Sequence, residues 1–209
     1  MIAGLKTRLM DFFNPAAAGT DAPDSDTALM IIDVQKEFCS PLRWRGTLQT
    51  RAVARDIAHA APAFRAAGIP VYAVYFVDAA DIHMDAAREQ MNRGTDHYKF
   101  HPAPQDRVIL KNWNSAFRHG DVSARIHAAG HRNLLLCGFN LNSCVKETAI
   151  DGASAGFNIR LLRDLCGNDR ENPEPYTSRA VTKMKENGII FSDSATELSA
   201  LRHARGVVP

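Results

Sequence analysis

The sequence predicts a single doubly wound, Rossmann-like α/β domain, with a six-stranded parallel sheet and helices on both faces. Three observations carry that prediction. Short apolar runs alternate with segments of helical periodicity along the chain, the order that calls for a parallel sheet covered on both sides. The first run is continuously apolar rather than alternating, as in a strand buried on both faces. Glycines at 68, 130 and 188 stand where three of the helical segments stop.

Residues 1–26 stand apart from this pattern. Ile2, Leu5, Leu9, Phe12 and Phe13 fall near helical spacing, which predicts an amphipathic helix ended by Pro15, and residues 16–26 read as a linker. Lys6, Thr7 and Arg8 interrupt the apolar stretch that a secretory leader would need. The domain proper runs over 27–209, beginning with a strand at 27–34 that ends in an acid. Residues 35–46, with Pro41 and Gly46, read as a loop, and 48–67 as a helix that Pro62 should kink or restart. A second strand follows at 70–77. Residues 78–106 are polar and irregular, with one short helix expected near 86–92; connections of that length are usually functional.

The third strand, at 107–111, ends in Lys111, and a helix covers 121–129. A fourth strand at 133–137 runs directly into Gly138. Residues 143–156 are helical, with Val145, Thr148, Ala149, Gly152, Ala153 and Gly156 on one face of small residues that lets the helix sit close to the sheet. The fifth strand is read at 157–162, a helix at 173–187, the sixth strand at 189–191 and a last helix at 195–203.

Composition narrows the function classes. The chain has 209 residues, 45% of them hydrophobic, enough for one large core without disulfides. Its net charge is +2, and the 25 basic residues form no stripe of the kind a nucleic-acid partner requires. No apolar run approaches the roughly 18 residues needed to span a bilayer. Four scattered cysteines with neither a C-x-x-C pair nor zinc-ligand spacing suit a reducing, cytoplasmic compartment. The balance points to no charged macromolecular partner.

In open parallel sheets, ligands bind outside the carboxyl ends of the strands. Asp33, Lys111 and Cys144 are all placed there, ending the first strand, ending the third, and following the fourth. Singly each has a plain structural explanation: a turn cap, a solvated lysine, a small core residue. Together they make chemical sense. Cys144, in the first turn of a helix and near the Lys111 ammonium, is expected to have a lowered thiol pKa. Asp33 would take the thiol proton and return it to a leaving amine.

The segments Ile31-Ile32-Asp33-Val34-Gln35-Lys36-Glu37-Phe38, Lys111-Asn112-Trp113-Asn114-Ser115-Ala116-Phe117 and Gly138-Phe139-Asn140-Leu141-Asn142-Ser143-Cys144-Val145 resemble three motifs of the isochorismatase-like cysteine hydrolases, in the family's order. The resemblance covers roughly residues 27–201. It implies a six-stranded parallel sheet, a homodimer or homotetramer, and hydrolysis of a small amide or ureide through a Cys144 thioester. It implies Asp33, Lys111 and Cys144 as catalytic residues, with a cis peptide between Phe139 and Asn140. The backbone N–H groups of Asn140 and Cys144 would then form the oxyanion hole. Leu141 departs from the threonine that many members carry, a change expected to alter substrate contacts.

Two other activities fit the same motifs: hydrolysis of a vinyl ether, as in isochorismatases proper, and a binding role without catalysis. Asp81-Ile82-His83, with His97 or His101, has the spacing of the metal site of the superfamily's nicotinamidases, but a two-residue match in a polar stretch reads better as ordinary loop. No metal and no cofactor is expected. Phe38, Gln35 and Trp113, nearest the trio in sequence, are the expected substrate-binding residues. Trp44, Tyr98 and Phe100 read as packing residues, and Arg43, Arg45, Arg88 and Arg93 as surface arginines. Cys39, Cys137 and Cys166 are expected to be inert.

Overall fold

The fold is given by a computed structural model that describes residues 26–77, 97–118, 121–169 and 174–204. The amphipathic segment at 1–14, its linker and the short helix expected near 86–92 lie outside the described residues. Six strands form one sheet: β1 (Thr27–Ile32), β2 (Val71–Phe76), β3 (Arg107–Lys111), β4 (Asn133–Gly138), β5 (Asn158–Cys166) and β6 (Ile190–Ser192). All are parallel, in the order β3-β2-β1-β4-β5-β6. The helices are α1 (Lys36–Cys39), α2 (Leu48–Ala66), α3 (Asp121–Ala128), α4 (Lys146–Ser154), α5 (Tyr176–Glu186) and α6 (Ser194–Ala204), with a π-helical turn at Leu141–Val145 ahead of α4. The predicted doubly wound sheet is therefore present. No helix among the described residues is long and apolar enough to cross a membrane.

The apolar runs become the core. In β1, Ala28 to Ile32 are all buried, against Tyr72 to Tyr75 of β2 and Leu134 to Cys137 of β4. Chain order reverses between β1 and β4, so the crevice at their carboxyl ends is the topological switch point where such sheets bind ligands. The register there is close: Ile32 pairs with Gly138, and Asp33 and Phe139 follow directly on adjacent strands.

Four local outcomes differ from the sequence reading. Residues 36–39 form a short helix inside the expected loop. α2 continues past Pro62 as one helix instead of restarting there; the ring removes one hydrogen bond, and buried Ala61 and Phe64 beside it keep the helix seated on the core. Its start is fixed by a capping box in which Thr47 Oγ1 accepts from Thr50 N at 3.0 Å and Thr50 Oγ1 accepts from Thr47 N at 2.8 Å. β5 continues to Cys166, because Arg163 and Asp164 interrupt the apolar pattern without ending the ladder. The segment before α4 is a π turn, its Val145 N–H reaching back to Asn140 O at 3.0 Å. Beyond it, the small face of α4 packs as expected: a Cβ on Gly152 would lie 2.9 Å from the Phe117 ring and 3.0 Å from Ile159.

Candidate active site

Asp33 leaves β1 in the left-handed region, at φ 53°, a conformation that aspartate tolerates better than most residues. Its N–H donates to Val74 O at 2.9 Å, so the bend is anchored to β2, and the residue is fully buried. Gln35 reinforces the bend: its Nε2 donates to Phe76 O at 2.9 Å and its Oε1 accepts from Phe76 N at 2.8 Å. The amide expected to meet substrate thus clamps the Asp33 turn to the end of β2.

Lys111 closes β3, two strands from β1. Strand spacing of about 4.8 Å puts the backbones roughly 10 Å apart, a gap only a long side chain spans. The lysine passes the Phe76 ring at 5.1 Å, and its Nζ donates to Asp33 Oδ2 at 2.7 Å and to Trp113 O at 3.2 Å. Neither partner of this ion pair has any exposed side-chain surface. Burial alone would push Lys111 down, but the charges of Asp33 and Cys144 push it up, so it stays an ammonium. Burial raises Asp33, against the lowering effect of Lys111. The second carboxylate oxygen, Asp33 Oδ1, is buried with no hydrogen-bond partner among the described residues.

Gly138 opens the way to the nucleophile. It has φ 121°, and a Cβ there would lie 2.0 Å from Ile32 O, so only glycine lets β4 pass β1 into the next turn. The Phe139–Asn140 peptide is cis, as the resemblance implies. The N–H groups of Leu141, Asn142, Ser143 and Val145 all find acceptors, whereas that of Asn140 has none among the described residues. Cys144 sits in the π turn, 5% exposed, and its Sγ lies 3.9 Å from Asn114 Oδ1. Its pKa does not follow the expectation of a lowered thiol. Burial first and the Asp33 charge second push it up to about 12, with Lys111 acting in the opposite direction. The helix terminus and the ammonium are outweighed because the sulfur is buried beside a carboxylate.

The structure therefore brings Asp33, Lys111, Cys144 and the Asn140 N–H to one edge of the sheet. The other expected residues divide. Phe38 is buried edge-on against Phe76, with the Arg45 guanidinium 5.7 Å over its ring. Trp113 is 53% exposed, beneath the Arg118 guanidinium at 5.3 Å. Arg43 is exposed and Phe100 is buried in the core, while Trp44 is 61% exposed and so not part of the core. Cys39, Cys137 and Cys166 are buried free thiols. His97 and His101 face each other, Nδ1 to Nδ1 at 3.3 Å, and no group of three metal-ligating side chains occurs among the described residues. Asp81, His83, Arg88 and Arg93 lie outside the described residues. Sequence reasoning did not single out Asn114 or Asp169, although both follow strands at the carboxyl edge.

Comparison with known proteins places the chain in a family and agrees with the fold. The Isochorismatase domain family matches residues 27–196. The chain belongs to the isochorismatase family. Within that family it is 27% identical to the ureidoacrylate amidohydrolase RutB of Azorhizobium caulinodans, over 66% of this chain and 75% of the relative. Its fold is that of a cysteine hydrolase from Pseudomonas syringae pv. phaseolicola, with TM-score 0.71, 19% identity, and 87% of this chain and 96% of the other covered. The pyrazinamidase of Pyrococcus horikoshii, solved in complex with zinc, superposes with TM-score 0.68 at 20% identity, over 81% of this chain and 99% of its own.

Proposed function

We propose that this protein is a cysteine amidohydrolase that cleaves the C–N bond of a small amide or ureide through a thioester on Cys144. The observation that carries the reading is the buried Lys111–Asp33 pair at 2.7 Å, with its second carboxylate oxygen unpartnered beside a buried thiol. The amidohydrolase named among its relatives points the same way.

The thiol does not need to ionise into solvent. Moving its proton to Asp33 replaces a carboxylate by a thiolate while Lys111 stays charged, so the site keeps one cation and one anion. The Sγ pair attacks the substrate carbonyl, and the electrons displaced onto oxygen meet the Asn140 and Cys144 N–H groups. The C–N bond then breaks as Asp33 returns its proton to the leaving nitrogen, which departs as ammonia or an amine. Water attacks the thioester with Asp33 as base, releasing the acid and restoring the thiol.

The test is ammonia release from a panel of small amides and ureides, run beside Cys144→Ala. Turnover by the native protein and none by the variant is the expected result. A second reading has one observation in its favour: burial raises Asp33, as a proton donor to a vinyl ether would require. Activity that survives Cys144→Ala and is lost in Asp33→Ala would select ether hydrolysis.

A further inference from the structure

The loop after β5 grips the turn that carries Asn140. Asn140 Nδ2 donates to Asp169 Oδ2 at 2.9 Å, and Asp169 N donates back to Asn140 Oδ1 at 3.0 Å, both residues being buried. Leu141 N donates to Gly167 O at 2.9 Å, and Gly167 N to Gly138 O at 3.1 Å. Asn142 N donates to Asn168 Oδ1 at 3.0 Å, and the Asn142 and Asn168 amides both donate to Thr177 Oγ1 of α5. Gly167 is pressed on the Phe139 ring so closely that a Cβ would come within 2.4 Å of it. Each residue from 138 to 142 is thus held by the 167–169 loop, and the side-chain contact on the residue whose N–H has no acceptor among the described residues is that of Asn140 with Asp169.

We propose that Asp169 is a positioning residue for catalysis, acting through Asn140. The inference rests on the thioester reading, in which the Asn140 N–H receives the oxyanion. The reciprocal pair of Asp169 with Asn140 fixes the orientation of the residue whose own backbone N–H is unpartnered, because any rotation of Asn140 breaks both bonds together. A buried carboxylate is a costly group for merely closing a loop, but it makes the charge-assisted and therefore stiffer bond. Stiffness matters here because a donor stabilises a transition state only when it is already in place.

The probe is carbon-13-labelled acetaldehyde, which adds to Cys144 to form a hemithioacetal. Sγ bonds to the carbonyl carbon, the π electrons move to oxygen, and that oxygen takes the thiol proton. The adduct, whose hydroxyl oxygen sits where the oxyanion would form and accepts from the Asn140 N–H, is followed by NMR in the wild type, Asp169→Ala, Asp169→Asn and Asn140→Ala, alongside alkylation by iodoacetamide, which places no oxygen there. Asp169→Ala is expected to weaken the adduct roughly 10- to 100-fold while leaving the alkylation rate unchanged. Asn140→Ala should match it, and Asp169→Asn, whose amide oxygen accepts the same bond, should recover most of the affinity. With an amide substrate, the loss should appear in kcat and spare KM.

Equal adduct affinity in wild type and Asp169→Ala would overturn the inference alone. So would adduct formation and alkylation falling together, which marks general damage. Absence of any adduct in the wild type would overturn the nucleophile reading and the inference with it. Should Asp169→Ala fail to fold, the comparison of Asn140→Ala with Asp169→Asn decides the matter.

Discussion

At Cys144 the thiol is held protonated by burial and by the charge of Asp33, which push it up to about 12. In the proposed reaction Asp33 has two opposite effects: its charge raises the resting thiol, and its carboxylate would accept the proton. Asp33→Asn separates them. The variant should lose turnover, by roughly a hundredfold or more for a missing general base, and yet alkylate faster than wild type at pH 8. The reason is that the raising charge is gone while Lys111 remains, so the thiolate fraction at that pH increases. Iodoacetamide rates measured against pH would show the midpoint moving down. Slower alkylation in the variant would mean that Asp33 already holds the thiol proton in the resting protein. The convergence of the three residues was legible from sequence, because Asp33 and Lys111 lie at strand ends and Cys144 in the turn after β4, each in a recognisable motif. The direction of the thiol shift was not. It depends on how deeply the sulfur is buried and on which charge lies nearer, and neither can be read from spacing.

The elements that carry these residues were mostly legible too, and the departures have physical causes. Apolar runs marked β1 to β4, but β5 was read four residues short because Arg163 and Asp164 look like an ending when only side-chain burial is considered. The π turn at Leu141–Val145 was hidden because its residues continue the helical pattern of α4. Asp169 escaped notice because its partner, Asn140, is 29 residues away and both lie in loops. Gly138 was visible as a strand end, but its necessity comes from the approach to Ile32 O. Gly138→Ala is expected to destabilise the protein by about 3 kcal/mol or more, since the added carbon meets backbone and the φ is unfavourable. Urea denaturation would measure this. A loss below about 1 kcal/mol would show that β4 shifts without difficulty, and that the turn to Cys144 is less constrained than the geometry implies.

Across the molecule, buried thiols tie stability to alkaline pH. Burial pushes Cys144 and Cys166 up to about 12 and Cys137 well above its ordinary range. In the unfolded chain these thiols ionise near 9, while the native state keeps its protons. The folded form therefore binds more protons between pH 9 and 12. Stability is fully present below that window and falls as pH rises through it, by at most roughly 1.4 kcal/mol per pH unit for each group. Urea midpoints should be level from pH 7 to 8.5 and decline steadily by pH 10.5, and Cys166→Ala should flatten the decline. A midpoint unchanged to pH 10.5 would mean that these sulfurs are hydrated in solution.

The central claim is that Cys144 forms a covalent bond to the acyl group of the substrate. Mass spectrometry of protein quenched during turnover tests this most directly, with the best amide or ureide from the ammonia-release panel as substrate. The peptide containing Cys144 should carry the mass of the acyl fragment in the native protein and lack it in Cys144→Ala. Steady turnover with no adduct on that peptide, and a Cys144→Ala variant that still releases product, would contradict the account and leave Asp33 as the centre of a different chemistry.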